Sequence, residues 1–286
     1  MNKKNDFSQK MHSYLRHPAS LIMMILVKLA AFITFTVLIF LIVYILVHGV
    51  PYLKPSLFSL HYNSENASLM PALINTVIMT LLSLLLAVPI GIFSAIFLAE
   101  YAGKGNKFVD IIRLTTETLS GIPSIVYGLF GMLFFVSTCH WGFSLLAGAF
   151  TLAIMILPLI MRTTEEALLS VPDSYREGSF GLGAGKLRTV FYIVLPSAVP
   201  GILAGVILAI GRIVGETAAL IYTAGSVAQV PSSVLGSGRT LAVHMYLLAS
   251  EGLYMDQAYA TAVILLVLVV VINTLSGMVA KKLTKA

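Results

Sequence analysis

The chain has 286 residues, of which 58% are hydrophobic and only 10% are charged, and its formal net charge is +6. About 25% of the residues of an ordinary soluble domain are charged, so this composition excludes a water-soluble globular protein. Because the charged residues cluster and leave long uncharged intervals between them, we interpret the chain as an all-α integral membrane protein.

The first half of the chain is predicted to hold four membrane spans, since a helix needs about 20 apolar residues to cross the hydrocarbon core. Residues 29–48 form the first span and residues 71–98 the second, and neither interval contains a charge. Residues 118–161 are also uncharged and are long enough for the third and fourth spans, with a turn at residues 139–142. Within the third span, residues 121–123 (Gly-Ile-Pro) either break the helix or only kink it.

The second half of the chain contains a long polar segment followed by two more spans. Residues 162–195 separate spans four and five, and loops of this length are usually functional or disordered. We expect order here, because Pro172 is placed to begin a short surface helix after span four. Span five is predicted at residues 196–222 and span six at 258–280, with an extracytoplasmic loop of residues 223–256 between them.

The orientation follows from the distribution of Lys and Arg, which are concentrated in cytoplasmic loops. Fourteen of the 18 Lys and Arg residues lie in the two terminal tails, the loop after span two and the loop after span four, whereas the opposite loops hold only Lys54 and Arg239. Both termini are therefore predicted to be cytoplasmic, with residues 1–20 as a tail and residues 21–286 as one membrane domain. The positive charge then reflects topology rather than nucleic-acid binding.

The loop after span four carries a motif that resembles a known family. Glu177-Gly178-Ser179, three residues, Gly183, nine residues, Ile193, one residue and Leu195-Pro196 match the spacing of the EAA signature of ABC-importer permeases, E-A-A-x3-G-x9-I-x-L-P. Gly178 and Ser179 replace the two usual alanines but are equally small. The resemblance implies that residues 162–195 form a coupling loop that docks on a separate ATPase subunit, with the residues Glu177, Gly183, Ala184, Ile193, Leu195 and Pro196.

Physical chemistry is consistent with such a role for the coupling loop. Gly183 and Ala184 allow close approach of a partner's backbone, and Glu177 offers a carboxylate to a basic residue of the partner. Pro196 is expected to break the helix where the chain returns to the lipid. The glycines near Lys186 do not have Walker spacing, because Leu187 stands where Ser or Thr is required. We therefore expect the chain to bind no ATP and to need no cofactor or metal.

Two further runs, at residues 120–131 and 209–219, are similar to those of permeases of phosphate-specific ABC importers, and more to their A-type than to their C-type paralogue. The resemblance implies a multi-pass subunit of the bacterial plasma membrane that forms half of a phosphate path and is not itself an enzyme. It also implies four kinds of partner: a homologous permease, two ATPase subunits that use ATP and Mg²⁺, an extracytoplasmic phosphate-binding protein, and membrane lipid.

Arg212 and Glu216 are the candidate path residues. Their i, i+4 spacing predicts one helix face, and Arg212 follows Pro200 by 12 residues, or about 18 Å along a helix axis. Ionisable residues at such depth usually face a bundle interior or a water-filled path, and a guanidinium binds phosphate oxygens with paired hydrogen bonds. Glu216 is then the counter-charge when the path is empty. The alternative is a structural ion pair that only locks span five.

Other polar residues near the membrane have weaker signals. Asn75, Thr76 and Thr80 are expected to hydrogen-bond a neighbouring helix rather than the substrate. Arg113 and Glu117 lie near the cytoplasmic membrane surface, where they either form a gate pair or remain solvated. Two alternatives to phosphate import stay open: an ABC importer of another oxyanion, namely phosphonate, sulfate or molybdate, and a secondary transporter or channel that works without ATP.

Overall fold

The computed structural model describes residues 18–102 and 105–283, in which all regular structure is helical. This confirms the all-α prediction, while nearly all of the predicted tail of residues 1–20 lies outside the described residues. The main helices are α1 (Pro18–Gly49), α2 (Met70–Ile96), α3 (Lys107–Ser120), α4 (Ser124–Gly131), α5 (Leu145–Leu169), α6 (Asp173–Gly181), α7 (Lys186–Thr189), α8 (Leu195–Val214), α9 (Ala218–Ile221), α10 (Leu241–Glu251) and α11 (Met255–Leu283).

Short irregular helices connect or extend these elements. Two 3₁₀ turns, Val50–Tyr52 and Pro55–Phe58, follow α1. π-helical turns continue α2 over Phe97–Tyr101 and α4 over Met132–Thr138, and a third, Val190–Val194, joins α7 to α8. The continuous helical runs that contain α2, α4 and α8 are therefore longer than these α-helices themselves.

Five helical runs of the described chain are long and apolar enough to cross a membrane, and a sixth is present if α3 and α4 count as one span. The chain bends by 101° between α3 and α4. The bend separates the predicted start of span three, at residue 118, from the remainder of that span in α4. Pro123 stands immediately before α4 with extended backbone (φ −59°, ψ 141°), a conformation that an α-helix cannot continue. Residues 121–123 thus break the helix rather than kink it.

The core of the molecule lies around α5, which packs between α2 and α8. The buried side chains at its centre are large and apolar, and they come from more than one helix: Met79, Leu152, Met155, Ile156 and Ile160. In contrast, α1 is exposed along most of its length and contacts α11 through its last turns, where Tyr44 and His48 pack against Tyr259.

The fifth span differs from its prediction at both ends. Its helical run begins at Lys186 and passes through Pro196 without a break, so the expectation that Pro196 ends the helix is wrong. The π-helical turn Val190–Val194 precedes it, and such a turn disrupts the regular i to i−4 ladder that proline cannot join. At the other end α8 stops at Val214 rather than near residue 222, and the short helix α9 follows separately.

The segment predicted as an extracytoplasmic loop, residues 223–256, is largely folded onto the helices. The Asn75 side chain donates to the carbonyl oxygens of Gln229 (2.9 Å) and Arg239 (3.2 Å), and the Thr76 hydroxyl accepts from the backbone N–H of Leu241 (2.8 Å). Helix α10 is consequently buried along one side, and the Arg239 guanidinium lies 4.6 Å from the ring centre of Tyr62. Of the three residues predicted to bond a neighbouring helix, only Thr76 does so, through the first residue of α10. Asn75 bonds the loop before α10, and Thr80 bonds the Thr76 carbonyl in its own helix.

Candidate docking surface and polar path

The predicted coupling loop contains a surface helix. Pro172 adopts extended backbone (φ −57°, ψ 139°) directly before α6, which confirms the prediction that a second short helix begins there. None of the residues of α6 is buried in this chain. A tight turn with Gly183 at φ +82° follows, and glycine suits that position because other residues are strained at positive φ.

A groove of about 440 Å³ lies between α6, this turn and the start of the fifth span, and three of the predicted coupling residues line it together. Its walls include Tyr175, Gly178, Leu182, Gly183, Ala184 and Ile193. Apart from the two adjoining residues, no atom of the described residues lies within 4 Å of the place that a Cβ atom on Gly183 would occupy. The groove is therefore open to a partner at Gly183, Ala184 and Ile193.

The other three predicted coupling residues do not line the groove. Glu177 is exposed on α6, where its carboxylate is free to meet a partner. Leu195 packs against the buried cluster that contains Ile96 and Val194, so it supports the fold at this end of the bundle. Pro196 lies on the exposed side of the first turn of α8.

Large apolar side chains around the groove are exposed to an unusual extent. Leu182 is 91% exposed, Tyr192 75% and Leu187 66%. Leu182 lines the groove itself, and a large exposed apolar patch marks a surface that another protein or a membrane covers. Leu182, Leu187 and Tyr192 lie in the same loop, residues 162–195, as Glu177. We therefore treat these exposed apolar side chains and the groove as one candidate docking surface.

One residue that positions this surface was missed by sequence analysis, where Arg176 counted only as a topology charge. Its guanidinium pairs with Glu100 at the end of α2, with Nη2 and Oε1 2.7 Å apart. The side chains of Arg176 and Glu100 are only 15% and 8% exposed. Glu100 offered a signal, because it is an acidic residue at the edge of an apolar span, next to a basic loop.

The structure separates Arg212 from Glu216, so the prediction that they share one helix face is wrong. Helix α8 ends at Val214, and the N–H of Glu216 donates to Ile213 O (3.1 Å) in a tightened last turn. The Glu216 Oε1 atom accepts from the N–H groups of Thr217 (3.2 Å) and Ala219 (3.1 Å). Glu216 is therefore buried and caps the first turn of α9, and no ion pair joins it to Arg212 in the described ranges.

Arg212 instead lies near the contact between residues 120–131 and 209–219, the two runs that resemble those of phosphate-importer permeases. It stands in the last turn of α8 and is half-buried, and the adjacent Ile213 belongs to the same buried cluster as Tyr127 on α4. The backbone of α9 packs directly on α4, since a Cβ atom on Gly128 would lie 2.8 Å from Ala219 Cα. Residues 120–131 and 209–219, which are distant in sequence, thus come into contact, and Arg212 belongs to the second of these runs.

A second cluster of charges lies between α3 and the C-terminal end of α5, around a cavity of about 310 Å³. Arg113 pairs with Glu165 (2.6 Å), while Arg162 pairs with Glu166 (2.9 Å) and with Glu117 (3.6 Å). Arg113 and Glu117 therefore each pair with α5 instead of forming a gate pair with one another. These contacts fasten α3 to the end of α5.

Comparison with known proteins places this arrangement in a family. Residues 87–285 match the family described as binding-protein-dependent transport system inner membrane component. Over 278 residues the chain is 35% identical to a probable ABC transporter permease protein, YqgI, of Bacillus subtilis, which covers 90% of this chain and 94% of that protein.

Proteins named phosphate transport system permease protein are also similar. PstA of Haemophilus influenzae is 39% identical over 178 residues, 62% of each chain. PstA 1 of Mycobacterium tuberculosis is 35% identical over 211 residues, 73% of this chain and 69% of that protein.

Solved transporters share the fold. A chain of a bacterial alginate ABC transporter has a TM-score of 0.67 at 16% identity, covering 96% of this chain and 99% of that one. A chain of the MetNI methionine ABC transporter has a TM-score of 0.63 at 22% identity, covering 76% and 96%. With a family match over most of its length and relatives above 30% identity, the chain belongs to the binding-protein-dependent transport system inner membrane components and, among them, to the PstA-type ABC permeases.

Proposed function

We propose that this chain is the permease subunit of an ATP-driven importer of inorganic phosphate in the bacterial plasma membrane. It spans the membrane six times with both termini in the cytoplasm, and α3 and α4 together form the third, broken span. Its partners are a homologous PstC-like permease, two PstB-like ATPase subunits and a PstS-like extracytoplasmic phosphate-binding protein. Similarity to PstA proteins supports the substrate, and the open groove beside Gly183 supports docking of the ATPase.

The observation that carries the proposal is the position of Arg212. It stands in the last turn of α8, next to the buried cluster that joins Ile213 to Tyr127 of α4, and no carboxylate of the described chain pairs with it. Glu216, the nearest acidic residue in sequence, uses its carboxylate to cap α9. A half-buried cation in a membrane-spanning helix without an internal counter-charge favours an anion in an adjacent path, and this weighs against the purely structural ion pair.

The chemistry of ATP hydrolysis belongs to the partner in this proposal. The ATPase subunits bind ATP and Mg²⁺, and their movement reaches the path through α6 and the groove. The present chain supplies half of the path and the Arg212 guanidinium, which holds phosphate oxygens by charge-assisted hydrogen bonds. Glu216 holds the turn after Arg212 through its hydrogen bonds to α9. It affects the substrate only by fixing the position of Arg212.

Replacement of Arg212 and Glu216, singly and together, tests the proposal in proteoliposomes that contain the complete complex. Arg212→Gln and the double variant Arg212→Gln with Glu216→Gln should both lose phosphate uptake by about ten- to hundredfold, the range for loss of a hydrogen bond to a charged group. Glu216→Gln alone should be milder, because an amide oxygen still accepts from the N–H groups of Thr217 and Ala219. Arg212→Lys should lose part of the activity, since it keeps charge but not the planar geometry.

Near-normal uptake by the neutral double variant would refute the role of Arg212 as a substrate contact. Uptake of labelled sulfate, molybdate or phosphonate in preference to phosphate would assign the importer to another oxyanion. Phosphate uptake that persists without the ATPase subunits would instead indicate a secondary transporter or channel. All variants are compared at equal abundance of the assembled complex.

A further inference from the structure

The Arg176 side chain, on the docking helix α6, uses all five of its N–H donors. Its Nη2 atom donates to Glu100 Oε1 (2.7 Å) and to the carbonyl oxygen of Leu168 (2.9 Å), and Nε donates to the same Glu100 oxygen (3.2 Å). Its Nη1 atom donates to Val171 O (2.7 Å) and to Asp173 Oδ1 (3.2 Å). A guanidinium has five N–H donors in a planar fork, so this site uses the whole group.

These bonds connect α6 to the cytoplasmic ends of two different spans. Glu100 belongs to the π-helical turn that ends the second span, and Leu168 is near the end of α5 in the fourth. The last carbonyls of a helix have no partner within the helix, and that of Leu168 accepts from Arg176 in addition to the N–H of Val171 (3.3 Å). A second contact reinforces the first, because the Lys186 ammonium lies 5.0 Å from the ring centre of Tyr101.

The ion pair of Arg176 with Glu100 differs from the other charge contacts of α6 in its burial. The side chains of Arg176 and Glu100 are mostly shielded from water, whereas that of Asp173 is 84% exposed. Screening by water leaves an exposed pair with little strength, but removal of one partner from a shielded pair leaves an uncompensated charge. The Glu100 contact is therefore the one that holds α6 in place, and it lies behind the docking surface rather than on it.

We propose that Arg176 is a positioning residue that makes α6 move as one body with the ends of spans two and four. Displacement of α6 by the ATPase then reaches both spans at once, through Glu100 and through the carbonyls of Leu168 and Val171. This inference rests on the proposed function for its ATPase, but the contact itself is independent of the substrate. Lysine cannot replace Arg176, because one ammonium with three donors does not reach a carboxylate and two carbonyls in this geometry.

Two measurements test the inference, with Arg176→Lys and Glu100→Gln as the variants and Asp173→Asn as the matched control. The control removes only the exposed partner of the same guanidinium. The first measurement is phosphate imported per ATP hydrolysed by the complete complex in proteoliposomes. We expect this ratio to fall in both variants while hydrolysis continues, and to stay at the wild-type value in Asp173→Asn. A residue needed only for folding would lower import and hydrolysis together and leave the ratio unchanged.

The second measurement is backbone hydrogen exchange of residues 173–181 in the complete complex without substrate. Protection should fall by about tenfold in Arg176→Lys, the factor for loss of one charge-assisted hydrogen bond, and remain near wild type in Asp173→Asn. An unchanged transport ratio, or unchanged protection of α6 in Arg176→Lys, would overturn the inference. Failure of the wild-type complex to import phosphate would count against the proposed function alone, since the exchange result still decides the role of Arg176.

Discussion

Gly128 is a position at which the backbone of a neighbouring helix leaves no room for a side chain. It lies on α4 where the backbone of α9 passes, and a Cβ atom there would lie 2.8 Å from Ala219 Cα and 3.3 Å from the carbonyl oxygens of Ala218 and Ala219. Carbon atoms prefer a separation of about 3.5–4.0 Å. Because all three neighbours are backbone atoms, no side-chain rotation can relieve the contact. Gly128→Ala should therefore push α9 away from α4 by about 1 Å, and Glu216, which caps α9, should move with it.

The expected cost is that of overpacking a close-packed interior, about 1–3 kcal/mol, or a factor of roughly five to a hundred in the folding equilibrium. Thermal unfolding of the purified permease in detergent measures it as a lower midpoint. Phosphate uptake at equal abundance should also fall, because the turn that presents Arg212 is displaced. Both losses should appear although alanine is a better helix former than glycine by about 1 kcal/mol.

Gly211→Ala is the matched control for this variant. It places the same methyl group one residue before Arg212 in α8, at a site with nothing within 4 Å, and its thermal midpoint should stay equal or rise. If Gly128→Ala unfolds at the same temperature as Gly211→Ala or higher, the close approach of α4 and α9 is wrong. Normal stability with lost uptake would contradict the overpacking argument but leave Arg212 in the path.

Two more predictions concern docking and topology. Gly183→Arg should reduce co-purification of the ATPase more than Gly183→Ala does. Both variants share the strain of a positive φ, but only the arginine side chain fills the groove. If the Gly183→Arg complex keeps the ATPase and hydrolyses ATP at the wild-type rate, the proposed docking surface is wrong. Reporters fused after Lys107 or Arg188 should remain cytoplasmic, and those near Tyr62 or Gly236 should be exported. Export of the Arg188 fusion would refute both the orientation and the coupling loop.

Composition was sufficient to predict the membrane spans, and the resemblance to the EAA signature predicted the coupling loop, which stays a prediction as a docking surface. A span has to bury its backbone bonds and present apolar side chains for about 20 residues, which is visible in an uncharged interval such as the one that became α5. The turn at Gly183 was also foreseeable, since a small residue in a fixed motif suits a left-handed conformation. Ala184 and Ile193, which line the same groove as Gly183, were predicted from the same motif spacing.

Tertiary contacts decided the features that sequence analysis did not foresee. The i, i+4 spacing of Arg212 and Glu216 indicates a shared face only while the helix continues, and α8 ends at Val214. The Glu216 carboxylate bonds the N–H groups that open α9, as acidic residues near a helix start commonly do. In the same way, Arg239 was interpreted from the sequence as a charge in a loop. In the structure its segment is folded onto the helices, and its carbonyl oxygen accepts a hydrogen bond from Asn75.

The strongest argument for the proposed path is that the helix after one interruption packs on the helix after another, since α9 lies against α4. The break at residues 121–123 separates α3 from α4, where the Tyr127 hydroxyl reaches back to the carbonyl oxygen of Leu119 (2.7 Å). The break after Val214 is bridged by Glu216. Non-helical backbone at membrane depth is tolerated only inside protein or beside a water-filled cavity, and either interruption alone would fit simple packing. The packing of α9 on α4 near an arginine without a carboxylate partner fits a path for an anion better than either break, or Arg212, does by itself.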